Sequence, residues 1–206
     1  MTGANPYDYI WWLSARAAGV VALGLVTASV GIGLLMATKL LRRPGLNRVL
    51  VKLHEHLALT GLVAIAVHGI TLLGDSWLKP GVGGVMVPFA MSYRPLFTGL
   101  GIVAGYLAAL LGLSFYARRR IGTRLWRKLH RATSAVYVLG VVHALGAGTD
   151  ASTTWLRAFL LVTGAPIVFL LLVRFLPGGK REAERARPSR RRPAQVPASA
   201  MAEGQG

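Results

Sequence analysis

The chain has 206 residues, 53% of them hydrophobic, with no cysteine and a formal net charge of +17. The lack of cysteine excludes disulfides, cysteine-ligated iron–sulfur clusters, thiol catalysis and the CxxCH attachment of c-type heme. A mean hydropathy of +0.51 with 15% charged residues, the apolar ones gathered in long runs, excludes an ordinary soluble domain, so the positive charge reads as membrane-surface contact rather than nucleic-acid binding.

Five apolar spans of about 20 residues or more are expected, each long enough for a bilayer core of about 30 Å. Residues 1–8 form a short outer N-terminus; MTGANPYDYIWWLSARAAG lacks the basic n-region of a signal peptide, and Arg16 interrupts its apolar run. The first span, 9–38, is followed by a connection bearing Lys39, Arg42, Arg43, Arg48 and Lys52. The second, 49–73, carries His54, His56 and His68, and the connection after it carries Asp75, Lys79 and Arg94. The third, 96–116, contains Gly101 and Gly105 in a GxxxG pattern suited to close helix packing. Arg118, Arg119, Arg120, Arg124, Arg127 and Lys128 separate it from the fourth, 125–145, which holds His130 and His143. Asp150 precedes the fifth, 155–176, and from Pro177 the chain is rich in Arg, Pro, Ala and Gly. That composition predicts a disordered basic tail over 177–206, lying on anionic lipid. The expected fold is all-α: a polytopic membrane helix bundle around a 9–176 domain, with the N-terminus outside and the C-terminus cytoplasmic by the positive-inside rule.

Within that frame the second and fourth spans run in the same direction. His54 and His130 then lie near the cytoplasmic end, and His68 and His143 near the outer end. Each pair is separated by 14 or 13 residues, about 20 Å of helix. An ionisable residue inside a membrane helix points to function because placing it there costs free energy. Four imidazoles matched in depth on two spans suit bis-histidine ligation of two b-type hemes, one near each face. At about 100° per residue, a 14-residue step returns to within about 40° of its starting face, whereas a 13-residue step ends about 140° away. His54 and His68 thus share a face; His130 and His143 do so only if their helix tilts, deforms near Gly140, or meets the hemes from different sides. His56 lies nearly opposite His54 and is an alternative ligand. The rival reading is a heme-free transporter or assembly subunit whose histidines hydrogen-bond between helices or relay protons.

The segments LHEHLALTGLVAIAVHGITLLGD, VPFAMSYRPLFTGLG and RLWRKLHRATSAVYVLGVVHALGAGTD, with weaker support from WWLSARAAG, carry a family resemblance. Over residues 9–176 the chain resembles the ferric reductase-like transmembrane domain of ferric-chelate reductases and the membrane part of NADPH oxidases. It is also similar to the heme-binding membrane subunit of periplasmic methionine-sulfoxide reductase systems. The resemblance implies an inner heme b on His54 and His130 and an outer one on His68 and His143, in a bacterial cytoplasmic membrane. It implies electron flow from a cytoplasmic flavin and NAD(P)H to an acceptor outside: a ferric chelate, oxygen or a periplasmic redox protein. The sequence departs from fused relatives in showing no GxGxxG-type nucleotide fold, so the expected donor is a partner flavoprotein or a membrane quinol. Arg16 and Arg94 are candidate partners of the outer heme's propionates, or snorkel to the headgroups. Lys128 and Arg131 are candidates for the same role inside, and Trp126 and Tyr137 for packing on porphyrin or anchoring the interface. Lys79 and Arg94 would also attract anionic ferric chelates to the outer loop.

Overall fold

The structure is a computed structural model and describes residues 6–38 and 45–175. Residues 1–5, the basic residues Lys39, Arg42 and Arg43, and the tail 177–206 lie outside the described residues. Among the described residues the chain forms seven helices: α1 (Pro6–Thr38), α2 (Leu46–Leu72), α3 (Gly81–Met86), α4 (Pro95–Ile121), α5 (Thr123–His130), α6 (Thr133–Ala147) and α7 (Thr154–Phe175). Four of them, α1, α2, α4 and α7, are long and apolar enough to cross a membrane.

The expected fourth span is not one helix. Its segment divides into α5 and α6, and the 15 residues of α6 rise only about 22 Å. The division follows from two tight turns. Gly122, at φ 89°, ends α4 and donates its N–H to the Arg118 carbonyl at 3.1 Å, and α5 starts at the next residue. Such a positive φ suits a residue without Cβ. At the other end of α5, Arg131 N–H reaches the Lys128 carbonyl at 3.3 Å and Ala132 N–H the Leu129 carbonyl at 2.9 Å. These are i→i−3 bonds, and each residue so wound turns by about 120° rather than 100°. The extra rotation between His130 and His143 brings their faces closer together than an ideal helix would. The deformation sits at Arg131–Ala132 rather than near Gly140, which was one of three possibilities the sequence left open.

Helix α1 is the hub: it packs most extensively on α2 and also touches α6 and α7, while α4 packs on α6, α5 and α2. Leu34, Tyr137 and Ile167 join α1, α6 and α7 in a buried cluster, flanked by Val26, Val30 and Val141. The outward surface is as apolar as the inside: Val63 and Ile70 on α2, Leu110 on α4, and Leu161 and Val162 on α7 are all well exposed. In water such a surface would drive aggregation; it matches the hydrocarbon solvent of a bilayer, where helices satisfy their own backbone groups.

The two ends of the bundle differ in charge. One carries Lys52, Arg118, Arg119, Arg120, Arg124, Arg127, Lys128 and Arg131; the other carries the buried Asp75 and Asp150. At this second end Arg16 forks onto Asp150, Nε to Oδ2 at 2.7 Å and Nη2 to Oδ1 at 2.5 Å, tying α1 to the α6–α7 connection. Nearby, Arg94 adopts φ 43° before Pro95 opens α4, and its Nη1 donates to the Gly146 carbonyl at 2.5 Å.

The Arg16–Asp150 tie is asymmetric, with side-chain exposures of 37% and 8%. Arg16→Ala strands a buried carboxylate and is expected to lower stability by about 1–2 kcal/mol. Asp150→Ala leaves a guanidinium that water can reach and is expected to cost less. Thermal unfolding of both variants in detergent checks the order.

Candidate functional site

The four histidines meet in two facing pairs. His54 of α2 faces His130 at the end of α5, ring centres 6.0 Å apart and planes at 88°. His68 of α2 faces His143 of α6, ring centres 6.3 Å apart and planes at 74°. The pairs are separated along α2 by 14 residues, or about 21 Å. His56 belongs to neither pair: it is exposed, and its Nδ1 bonds to the Lys52 carbonyl of its own helix at 2.7 Å.

Three of the four rings are held by one repeated device. His68 Nδ1 donates to the Ala15 carbonyl at 2.7 Å, His54 Nδ1 to the Ser29 carbonyl at 2.9 Å, and His143 Nδ1 to the Phe97 carbonyl at 2.9 Å. In each case the residue four positions further along the accepting helix is glycine: Gly19, Gly33 and Gly101. A Cβ on Gly19 would come within 3.0 Å of the His68 ring, one on Gly33 within 3.3 Å of His54, and one on Gly101 would overlap His143 outright. Helical side chains lean toward the N-terminus and cover the preceding turn. Glycine at position i+4 therefore uncovers the carbonyl at i, whose second lone pair remains free to accept the imidazole. Because a carbonyl only accepts, Nδ1 must carry the proton, and in the neutral ring Nε2 is left as a lone pair. Ser29 adds its hydroxyl, 3.1 Å from His54 Nδ1.

His130 is held differently. Its Nδ1 is buried without a hydrogen-bond partner. Its ring stacks on Trp126, one helical turn earlier on α5, with centres 4.9 Å apart and planes at 25°.

Two clefts adjoin the His54–His130 pair. One, of about 520 Å³, is walled by apolar or small residues including Val26, Ala58, Leu62, Ala108 and Gly112. The other, of about 690 Å³, is lined on its basic side by Arg127, Arg131 and Arg174. Of the other residues singled out in the sequence, Arg16 is engaged with Asp150 and lies 5.2 Å from the Trp12 ring centre, and Arg94 lies 5.5 Å from that of Tyr93. Lys128 and Arg131 sit in the basic cluster on either side of His130, and Tyr137 is buried in the α1–α6–α7 cluster. The sequence reading passed over Ser29, Arg174 and the three glycines as site residues. A signal for two of the glycines was there: Gly19 and Gly33 are 14 residues apart, the same interval as His54 and His68 on the antiparallel neighbour.

The spacing of each pair suits a metal between the rings. The ring centres, 6.0 and 6.3 Å apart, would leave space for one ion held by a nitrogen of each ring. Among the described residues no group of three or more His, Asp or Glu side chains gathers around a metal position.

Residues 18–141 match the family described as ferric reductase like transmembrane component. The chain is also 31% identical over 189 residues, 90% of its own length and 70% of the relative's, to the protein-methionine-sulfoxide reductase heme-binding subunit MsrQ of Azospira oryzae. No solved structure matches. With the family match running from α1 into α6 across more than half of this helical membrane bundle, the chain belongs to the ferric reductase-like transmembrane family.

Proposed function

We propose that the protein is a b-type di-heme electron-transfer subunit of a redox system in the bacterial cytoplasmic membrane. The observation that carries this reading is the pairing itself: two sets of facing imidazoles at iron-spanning distance, stacked about 21 Å apart across the bundle. The 31% identity to a relative whose name describes a heme-binding subunit supports it. Heme, when bound, would supply one-electron chemistry, and the paired histidines would hold it for electron transfer.

The chain's own residues do the positioning. His54 and His130 would hold one heme; His68 and His143 would hold the other. The carbonyls of Ala15, Ser29 and Phe97 fix three imidazoles in the ligating tautomer and set the orientation of each ring. The apolar cleft beside His54 and His130 suits a porphyrin face, and the Arg127, Arg131 and Arg174 side suits its carboxylates. We place the basic end of the bundle in the cytoplasm by the positive-inside rule, which puts the N-terminus outside and the His54–His130 pair on the donor side. The donor is then a flavoprotein or a quinol, and the acceptor an outer-side redox protein or a ferric chelate. Arg94, exposed at the outer end, is the residue best placed to meet an anionic acceptor.

The deciding experiment is a reduced-minus-oxidised absorbance spectrum of the purified protein with heme quantified per chain. A b-type spectrum with two hemes per chain is expected. No heme, after expression with an adequate heme supply, would overturn the reading and leave the histidines as packing or proton-handling groups. His68→Ala is expected to reduce the stoichiometry from two to one and to leave the His54–His130 heme in place. Alanine at the three glycines should act in graded fashion. Gly101→Ala, whose Cβ overlaps His143, should cost most of the second heme; Gly19→Ala should cost less; Gly33→Ala, at 3.3 Å, should be nearly tolerated. Heme content of the three variants checks the ranking.

A further inference from the structure

The carbonyl and glycine device that holds three histidines has a natural fourth position. On α4, Phe97 and Gly101 serve His143; 14 residues on, the same register gives Leu111 and Phe115. The Leu111 carbonyl faces His130, yet no hydrogen bond of normal geometry forms. Two observations explain why. The residue at the i+4 position is phenylalanine rather than glycine, and its side chain covers the turn that holds the carbonyl. The second lone pair of that carbonyl is also taken, because Ser114 Oγ donates to it at 2.7 Å. Instead the His130 ring lies on Trp126, and Trp126 in turn meets Phe115 edge-on, ring centres 5.9 Å apart.

We infer that Trp126 is the positioning residue for His130, replacing by stacking the carbonyl clamp that orients the other three histidines, and that it thereby makes the two histidine pairs electronically unlike. Trp126 and His130 lie at i and i+4 on one face of α5, so the stack is built into the helix. The indole Nε1 is buried and has no hydrogen-bond partner. The contact that Trp126 makes with His130 is through its ring. A stacked ring fixes the plane of an imidazole but does not pull on its Nδ1 proton. His130 is then the one member of the set whose Nδ1 has no carbonyl hydrogen bond of normal geometry, and as a ligand it would differ electronically from its three counterparts. The inference rests on the heme reading above and assigns the asymmetry to the His54–His130 pair.

The test uses the full-length protein with both hemes bound, by low-temperature EPR and redox titration. The His54–His130 signal is identified by its persistence in the His68→Ala protein. Trp126→Leu is expected to shift or broaden that signal while the other keeps its position and both hemes stay bound. Trp126→Phe, which keeps a stacking ring and discards only the unpaired N–H, is expected to restore it. The double variant Ser114→Ala/Phe115→Gly frees and uncovers the Leu111 carbonyl. It is expected to lower the midpoint potential of the same heme by about 59 mV, a tenfold change for a one-electron couple, with the other heme unmoved. Two bound hemes with wild-type signals in Trp126→Leu would overturn the inference. So would equal loss of the His54–His130 heme in the Leu and Phe variants, which would mark a packing role alone. Wild-type protein without heme would instead overturn the cytochrome reading on which the inference stands.

Discussion

An imidazole inside a hydrocarbon-facing bundle has two ring nitrogens and no water to satisfy them. Leaving a buried N–H unpaired costs on the order of 1–3 kcal/mol, and the helices that surround it have already committed their backbone groups to one another. The remaining resource is the second lone pair of a helical carbonyl, which side chains normally cover. In this protein glycine removes the cover at Gly19, Gly33 and Gly101, and the imidazoles of His68, His54 and His143 settle against the exposed backbone. This bond fixes where the proton sits, which way the ring turns and how closely the helices approach. The positions of α1 against α2 and of α4 against α6 follow from it.

The same bond links packing to chemistry. A ring anchored at Nδ1 presents Nε2 as its free base, and His68 and His143, both so anchored, face each other with ring centres 6.3 Å apart. The glycines are thus more than close-packing residues. Gly101 belongs to a GxxxG pattern that composition alone would assign to helix contact, and a Cβ on its partner Gly105 would reach only ordinary contact with Ile65. Gly101 itself makes room for a ring that bonds to the backbone beneath it. One sequence pattern therefore carries two different physical roles at adjacent turns.

Charge organises the molecule along the other axis. Arginine and lysine crowd one end, and three arginines from α5, the α5–α6 turn and α7 line the cleft beside His54 and His130. At the opposite end Asp75 and Asp150 are buried, and Asp150 is neutralised by Arg16 rather than left for a ligand. Under the proposed orientation the His54–His130 pair lies beside a strongly positive rim, which favours negatively charged groups on a cofactor or a donor. The His68–His143 pair lies among residues that staple the helix ends together.

Much of this was legible in the sequence because its causes are local. Hydropathy and span length give a membrane bundle, since no other arrangement satisfies long apolar runs. The matched intervals of His54–His68 and His130–His143 give the pairing of depths, because rise per residue is a property of the helix alone. The division of the expected fourth span into α5 and α6 was hidden: Arg131 and Ala132 carry no breaker signal, and their i→i−3 turn forms because α5 must fold back from Gly122 along α4. Gly19 and Gly33 repeat the interval of His54 and His68, but which of Gly101 and Gly105 bears on a histidine was hidden, as nothing local distinguishes them. Arg16 offered a free cation in the sequence and an occupied one in the structure, since its partner Asp150 lies 134 residues away. The sequence by itself determined the class of the fold, the depths of the four histidines and the charge of each end. The tertiary structure decided which carbonyl each ring meets, and that Trp126 stands where His130 finds none, because those outcomes depend on how neighbouring helices are turned about their axes.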